Sequence, residues 1–208
     1  MGFFIEELNK ILPSELTEQK KGRLQVGLAQ FLKLNHSEDK YYTDFYLYSS
    51  YNYFLQGDLV KELRFPIFDE KKRQYEKKYY DALLISNTCD VDEANIRRIA
   101  KKAILAKLIP LDIFVSSMEE LGVEDAANIL TQLKNQQFSN IFYLPPTVDG
   151  SEYLAYFDDL SIIEIEELNS LKVDIKINRI ASLDYFGFYL FIFKLSFHLC
   201  RLPEETER

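Results

Sequence analysis

Apolar and polar positions along this chain follow patterns that predict helices near both ends and strands between them. Apolar residues recur at helical spacing over 3–12 and 16–32, which predicts two amphipathic N-terminal helices. Short apolar runs bounded by turn residues follow, and they predict a set of strands at 61–68, 82–85, 103–111, 138–144 and 153–163. The pattern therefore predicts an α+β chain that is mainly β.

Two further helices are predicted in the second half of the chain. A serine–glutamate capping box opens a helical insertion at 116–136. The most apolar stretch, 182–202, is nearly long enough to cross a membrane. Lys194 and His198 lie four residues apart and so share one helix face, which makes the stretch amphipathic. We therefore expect a buried C-terminal helix that begins at Ser182, and no membrane span.

Charge is distributed unevenly along the chain. The formal net charge of −8 argues against a protein whose whole surface grips nucleic acid. Two local basic segments nevertheless occur, one at 71–78 in a predicted exposed hairpin loop and one that includes Arg97 and Arg98. The segment 149–174 carries eight acids and one lysine. Any contact with RNA is therefore expected to be local, and a solvated charged face is the alternative for both basic segments.

Tyrosines are concentrated in the segment 41–54, which holds six of the fourteen. Exposed rings such as Tyr51 and Tyr53 can stack on unpaired bases, so this segment is a candidate to line a groove for single-stranded RNA. Tyrosines are equally typical of half-buried strands and of loops that cover a sheet. The pattern leaves both interpretations open.

The best candidate site follows the apolar strand 82–85, where the chain turns abruptly polar from Ser86 to Asp90. Asp90 or Asp58 could act as a general base on an RNA 2′-hydroxyl, with Lys77, Lys78 or Arg97 holding the phosphate. Cys89 could act as a nucleophile if His198 lay within hydrogen-bonding distance. Cys89 as a small buried side chain is the alternative. The candidate catalytic residues are Ser86, Lys78, Cys89 and Asp90, and the candidate substrate-binding residues are Lys77, Arg97, Arg98, Tyr51 and Tyr53.

The sequence contains no glycine-rich phosphate loop, paired metal-ligand motif or nucleophile elbow. Its two cysteines, Cys89 and Cys200, are far apart and suggest neither a disulfide framework nor a cysteine-based zinc site. The first residues lack the features of a secretory signal peptide. We expect a cytoplasmic protein that uses no metal or other cofactor.

The order of several short segments resembles the PemK/MazF family. These segments are Gln56 to Val60, Ala82 to Asn87, Ala106 to Pro110, Phe142 to Pro145 and Leu154 to Ile162. The resemblance covers about residues 56–165. It implies an SH3-like β-barrel, usually dimeric, as in the metal-independent endoribonuclease toxins of toxin–antitoxin systems. On this basis we expect an N-terminal helical extension at 1–40 and, at 41–208, a barrel domain with the helical insertion and the C-terminal helix.

The chain departs from the family pattern at both usual catalytic positions. Lys77 to Tyr80 stand where the family places an arginine, and Ile109 to Asp112 stand where it places a threonine or serine. The resemblance and these departures from it are consistent with two functions. One is a toxin or defence-associated endoribonuclease that contacts RNA, and the other is a non-catalytic binding or regulatory protein on the same barrel. RNA, a cognate protein such as an antitoxin or inhibitor, and a second copy of the chain are the expected partners.

Overall fold

The computed structural model describes residues 18–19, 21–22, 45–48, 51–92 and 102–199. Of the predicted N-terminal extension, only 18–19 and 21–22 belong to this set, and they are helical. The rest of that extension lies outside the described residues.

Seven strands and six α-helices are found in the described residues. The strands are β1 Tyr46–Leu47, β2 Asp58–Asp69, β3 Gln74–Leu84, β4 Lys102–Pro110, β5 Ile141–Leu144, β6 Tyr153–Glu164 and β7 Arg179–Leu183. The helices are α1 Thr88–Val91, α2 Leu111–Glu120, α3 Ala126–Lys134, α4 Ile165–Ser170, α5 Ile175–Asn178 and α6 Tyr185–Leu199, with a 3₁₀ turn at Leu171–Asp174. The prediction of an α+β chain is confirmed.

The strands form one antiparallel sheet in the order β1, β7, β2, β3, β4, β6, β5. Helices cover both of its faces. Leu83 of β3 packs in the cluster beneath α6, together with Phe186 and Phe191. Ala82 and Leu84 point the other way, into the cluster beneath α4 and α5. Burial on both faces explains why this segment is a continuous apolar run instead of an alternating one.

The sheet is not closed into a barrel. Along the edge strand β5, the side chain of Gln136 takes the place of a neighbouring strand: its Nε2 donates to the Tyr143 carbonyl at 2.6 Å, and its Oε1 accepts from the Tyr143 N–H at 3.0 Å. The opposite edge strand, β1, comes close to the end of β5. There the Tyr46 hydroxyl donates to the Pro145 carbonyl at 2.7 Å. A closed barrel requires backbone pairing at these edges.

The basic segment predicted as a loop is mostly strand. β2 continues to Asp69 and β3 begins at Gln74, so only four residues form the turn between them. Proline is tolerated within β2 at Pro66 because this part of the strand pairs on one side only. Polar composition misled the prediction because residues 74–79 of β3 bury no apolar side chain.

The C-terminal region also differs from the prediction. Residue Ser182, expected to start a helix, lies 1% exposed in β7, directly across from Asp58. The helix starts three residues later, at Tyr185, and is described as far as Leu199. Of the described helices, none is long and apolar enough to cross a membrane.

The helical insertion is present but begins at Leu111, earlier than the predicted capping box. Pro110 occupies the N-cap position without a side-chain hydrogen bond. The Ser117 hydroxyl donates instead to the Ile113 carbonyl at 2.9 Å, within the helix. The helices α2 and α3 pack on β5 and β6 through Leu111, Leu133, Tyr143 and Leu154.

Candidate functional site

The polar turn after β3 is tied to its neighbours by its own side chains. The Ser86 hydroxyl accepts from the Ile104 N–H of β4 at 2.8 Å. The Asn87 side chain accepts from the Cys89 N–H at 2.9 Å and so caps α1. The Thr88 hydroxyl accepts from the Gln56 N–H at 2.9 Å, which joins the turn to the loop before β2. These groups hold the turn in place.

Cys89 and Asp90 lie on α1, where Cys89 is exposed and Asp90 is half-buried. The histidine expected to activate Cys89 has another role. His198 on α6 lies 3.2 Å from the Asp158 carboxylate of β6, and its ring contacts Phe157. The structure therefore assigns His198 to the packing of α6 on the sheet.

Asp58, the alternative general base, is fully buried. Its Oδ2 accepts from Arg179 Nε at 2.8 Å and from the Leu55 N–H at 2.9 Å. Burial raises the pKa of Asp58, and the Arg179 guanidinium opposes that shift. Arg179 also donates to the Tyr51 and Tyr53 carbonyls, so the pair anchors the loop before β2. The role of Arg179 could not be found from sequence because its partner is 121 residues away.

Lys77 and Lys78 lie on β3, seven and six residues respectively before its last residue, Leu84. A strand rises about 3.3 Å per residue, so Lys78 stands about 20 Å from the end that carries Ser86 and Asp90. The structure therefore separates two of the three predicted cations, Lys77 and Lys78, from the predicted base Asp90. Arg97 and Arg98 lie outside the described residues.

The segments 64–69 and 74–79 form a two-stranded ribbon, here called the β2–β3 arm. The two segments pair with each other throughout. In the described chain, β7 pairs with β2 only at 58–60 and β4 pairs with β3 only at 82–84. The arm therefore extends past the strands on either side of it.

One face of the arm alternates aromatic and basic side chains. Tyr75, Lys77 and Tyr79 occupy successive positions on this face of β3, about 7 Å apart. The ring of Phe68 lies across from Tyr75, with 5.3 Å between ring centroids in an edge-to-face arrangement. Tyr75 is 74% exposed and Tyr79 is 66% exposed. Sequence analysis missed these tyrosines because it placed them in a charged loop.

The arm, taken from here on together with the turn 70–73 that joins its two strands, carries five basic and three acidic residues between 66 and 79. Lys72 contacts Glu76 and Asp69, and its hydrogen bond to Glu76 raises its pKa. The other four cations form no ion pair with any described residue. They are Lys71, Arg73, Lys77 and Lys78.

Tyr51 and Tyr53 stack on each other, with 5.2 Å between ring centroids and 28° between ring planes. They line an open groove of about 310 Å³ that also includes Thr88. The structure thus brings two of the predicted aromatic residues next to the polar turn, on the side of Thr88.

A larger cavity, about 670 Å³, lies at the start of α2. Its acidic side chains already have partners within the protein. Glu152 accepts from Lys134 at 2.8 Å and from the Tyr143 hydroxyl, and Asp112 accepts from the Ile113 N–H. Hydrogen bonds from the Thr147 hydroxyl and the Ser151 N–H lower the pKa of Asp149. Each of the three described carboxylates in this cavity therefore already accepts a hydrogen bond from within the protein.

No protein-family model matches the chain, and a search of curated proteins gives no significant match.

Proposed function

We propose that this protein binds single-stranded RNA through the β2–β3 arm and does not cleave it. The observation that carries the proposal is the exposed face on which Tyr75, Lys77 and Tyr79 alternate. Single-stranded nucleic acid is held by aromatic rings that stack on bases and by cations that follow the phosphates. The arm offers both kinds of group at regular spacing.

Electrostatics supports a local contact of this kind. The protein carries a net charge of −8, and eight acids lie in 149–174. Four cations of the arm have no ion-pair partner among the described residues, so they are available to phosphate. A polyanion is attracted to the arm and repelled by much of the remaining surface.

The positions of the candidate catalytic groups among the described residues support the proposal that the RNA is not cleaved. Acid–base catalysis at a 2′-hydroxyl needs a base and a cation around the same phosphate. Here Lys78 stands about 20 Å from the end of β3 that leads to Asp90. Asp58 is buried in its ion pair with Arg179.

The same proposal extends to the fold and the setting. The open sheet, with its edges approaching at Tyr46 and Pro145, is proposed as a divergent form of the SH3-like barrel of the PemK/MazF group. The resemblance of residues 56–165 to that group supports this origin. We further propose that the protein acts in the cytoplasm, with a second copy of the chain or a cognate protein as its partner.

A binding experiment tests the proposal. Fluorescence anisotropy with a labelled single-stranded RNA should show binding by the unmodified protein, and each of Tyr75→Ala and Tyr79→Ala should weaken it by about 1 to 3 kcal/mol. Tyr185→Ala is the matched control because Tyr185 is 54% exposed but lies on α6. Equal losses in all three variants, or no binding at all, would overturn the proposal.

The second candidate function is the endoribonuclease. One observation favours it: the Tyr51 and Tyr53 pair lines a groove with Thr88, one residue from Cys89. RNA cleavage by purified protein, with and without a chelator, decides between the two. Cleavage that survives the chelator and is lost in Asp90→Ala supports the nuclease, whereas intact RNA in every sample supports binding alone.

A further inference from the structure

The groove beside Tyr51 and Tyr53 has a chemistry unlike that of the arm. Aromatic rings from two separate segments border it, the loop before β2 and the first turns of α6. We call it the tyrosine groove, and its lining residues are Leu47, Tyr51, Tyr53, Leu55, Gln56, Thr88, Leu183, Asp184, Tyr185 and Phe188. Tyr51, Tyr53 and Tyr185 are exposed, at 47%, 38% and 54%.

Charge in the tyrosine groove favours a cation. Among the described residues that line it there is one carboxylate, Asp184, and no lysine or arginine. The nearby guanidinium of Arg179 is 6% exposed and is directed at Asp58 and at the carbonyls of the loop. From the described lining residues, a phosphate would therefore meet a negative charge and no positive one, whereas an ammonium group would meet a carboxylate and the negative faces of aromatic rings.

The shape of the tyrosine groove and its apolar lining residues favour a cation that carries an apolar chain. Leu47, Leu55, Leu183 and Phe188 give the groove an apolar part that suits a methylene chain. A lysine side chain combines a flexible apolar stem with a charged tip. The volume of about 310 Å³ and the open shape suit a side chain that enters from a partner's surface.

We propose that the tyrosine groove binds a lysine side chain of a basic protein partner. The stem packs on the leucines and Phe188, and the ammonium group contacts the tyrosine rings and Asp184. The net charge of −8 attracts a basic protein during encounter. This site is separate from the arm, so the inference does not depend on RNA binding.

The loop that carries Tyr51 and Tyr53 is held in place before any ligand arrives. Arg179 Nη1 donates to the Tyr51 carbonyl at 3.0 Å, and Nη2 donates to the Tyr53 carbonyl. The Gln56 side chain donates to the Ile85 carbonyl at 2.7 Å. A pre-organised loop loses little conformational entropy on binding, which favours affinity.

The test uses the full chain labelled with ¹⁵N and three probes followed by NMR. The probes are the capped peptide acetyl-Ala-Lys-Ala-amide, the same peptide with its lysine acetylated, and adenosine. We expect the lysine peptide to shift the amide signals of Tyr51, Tyr53, Thr88 and Tyr185, and the acetylated peptide to bind at least about threefold more weakly because it lacks the charge. An equal response to both peptides, or shifts at these residues with adenosine alone, would overturn the proposal.

Variants locate the binding. Tyr53→Ala and Asp184→Asn should each weaken the lysine peptide by about two- to fivefold, and asparagine retains the capacity to cap a helix. Tyr79→Ala is the matched control because this exposed tyrosine belongs to the arm. If Asp184→Asn disturbs α6, Tyr185→Ala replaces it. Unchanged affinity in the groove variants would contradict the assignment.

Discussion

The two ends of strand β3 are built from similar backbone pairing but present opposite surfaces. At the C-terminal end, Ala82, Leu83 and Leu84 are fully buried, with strands on both sides. At the N-terminal end, Tyr75 and Tyr79 are largely exposed and only β2 lies alongside. The availability of a side chain on this strand therefore depends on which neighbours the sheet supplies, and residue type alone does not determine it.

A β-bulge marks the change from sheet to arm. The pairing of β2 with β3 shifts between Val60 and Leu63, and Glu62 has a positive φ of 53°. The Asp81 carboxylate accepts from the Glu62 N–H at 3.1 Å and so satisfies a backbone group at the bulge. Because a bulge bends and twists the strand that contains it, β2 leaves the path of β7 at this point.

The largest effect is expected on the buried side. Arg179→Ala should lower the free energy of unfolding by about 3 to 5 kcal/mol because it leaves the Asp58 carboxylate buried without its partner. Arg64→Ala is the control because its pair with Glu167 is partly exposed, and its loss should stay within about 1 kcal/mol. Urea denaturation measures both, and equal losses would contradict the contrast between the two regions.

The two ends of β3 can be compared directly by truncation. Leu84→Ala should cost about 2 to 5 kcal/mol of unfolding free energy because it opens a cavity in the core. Tyr79→Ala removes a larger side chain from the arm but should change stability by no more than about 0.5 kcal/mol. Thermal and urea unfolding provide the measurement. A similar cost for both variants would show that the Tyr79 side chain contributes to stability as much as a core residue does.

The buried side of the protein should also make the unfolding free energy depend on pH, through Lys194. Lys194 of α6 is buried and donates to Gln136 Oε1 at 2.7 Å, and burial lowers its pKa well below the ordinary 10.5. The unfolded chain therefore binds more protons below pH 10.5, so stability should rise with pH between the folded pKa and 10.5, by up to about 1.4 kcal/mol per pH unit.

Lys194→Met removes this contribution and should flatten the pH dependence of the unfolding free energy in the alkaline range below pH 10.5. Lys102→Met is the matched control because that lysine is 55% exposed on β4. An unaltered slope in Lys194→Met would mean that Lys194 keeps its proton in the folded protein.

The smallest effect is expected in the polar turn. Cys89→Ser should leave RNA affinity and unfolding free energy within about 0.5 kcal/mol of the unmodified protein, because the exposed thiol has no part in the proposed binding face. Anisotropy and urea denaturation check this. A large loss of RNA affinity in Cys89→Ser would indicate that RNA binds at the polar turn and not at the arm.

Sequence patterns predicted the fold class and several strands because apolar runs such as 82–85 report burial directly. They missed the strand character of 74–80, since an exposed ribbon lacks an apolar face, and they missed β7, whose residues adjoin the apolar helix α6. The candidate site was harder to predict. Its parts depend on contacts distant in sequence, such as that between Asp58 and Arg179, which no local pattern encodes.

The central claim, that RNA binds the arm and not the polar turn, is tested most directly by one titration at several salt concentrations. The double variant Lys77→Ser and Lys78→Ser should bind RNA more weakly, with the slope of log affinity against log salt shallower by about 1.4. The double variant Ser86→Ala and Asp90→Asn should match the unmodified protein, with the RNA intact throughout. Normal binding by the lysine variant together with weakened binding by the turn variant would contradict the claim.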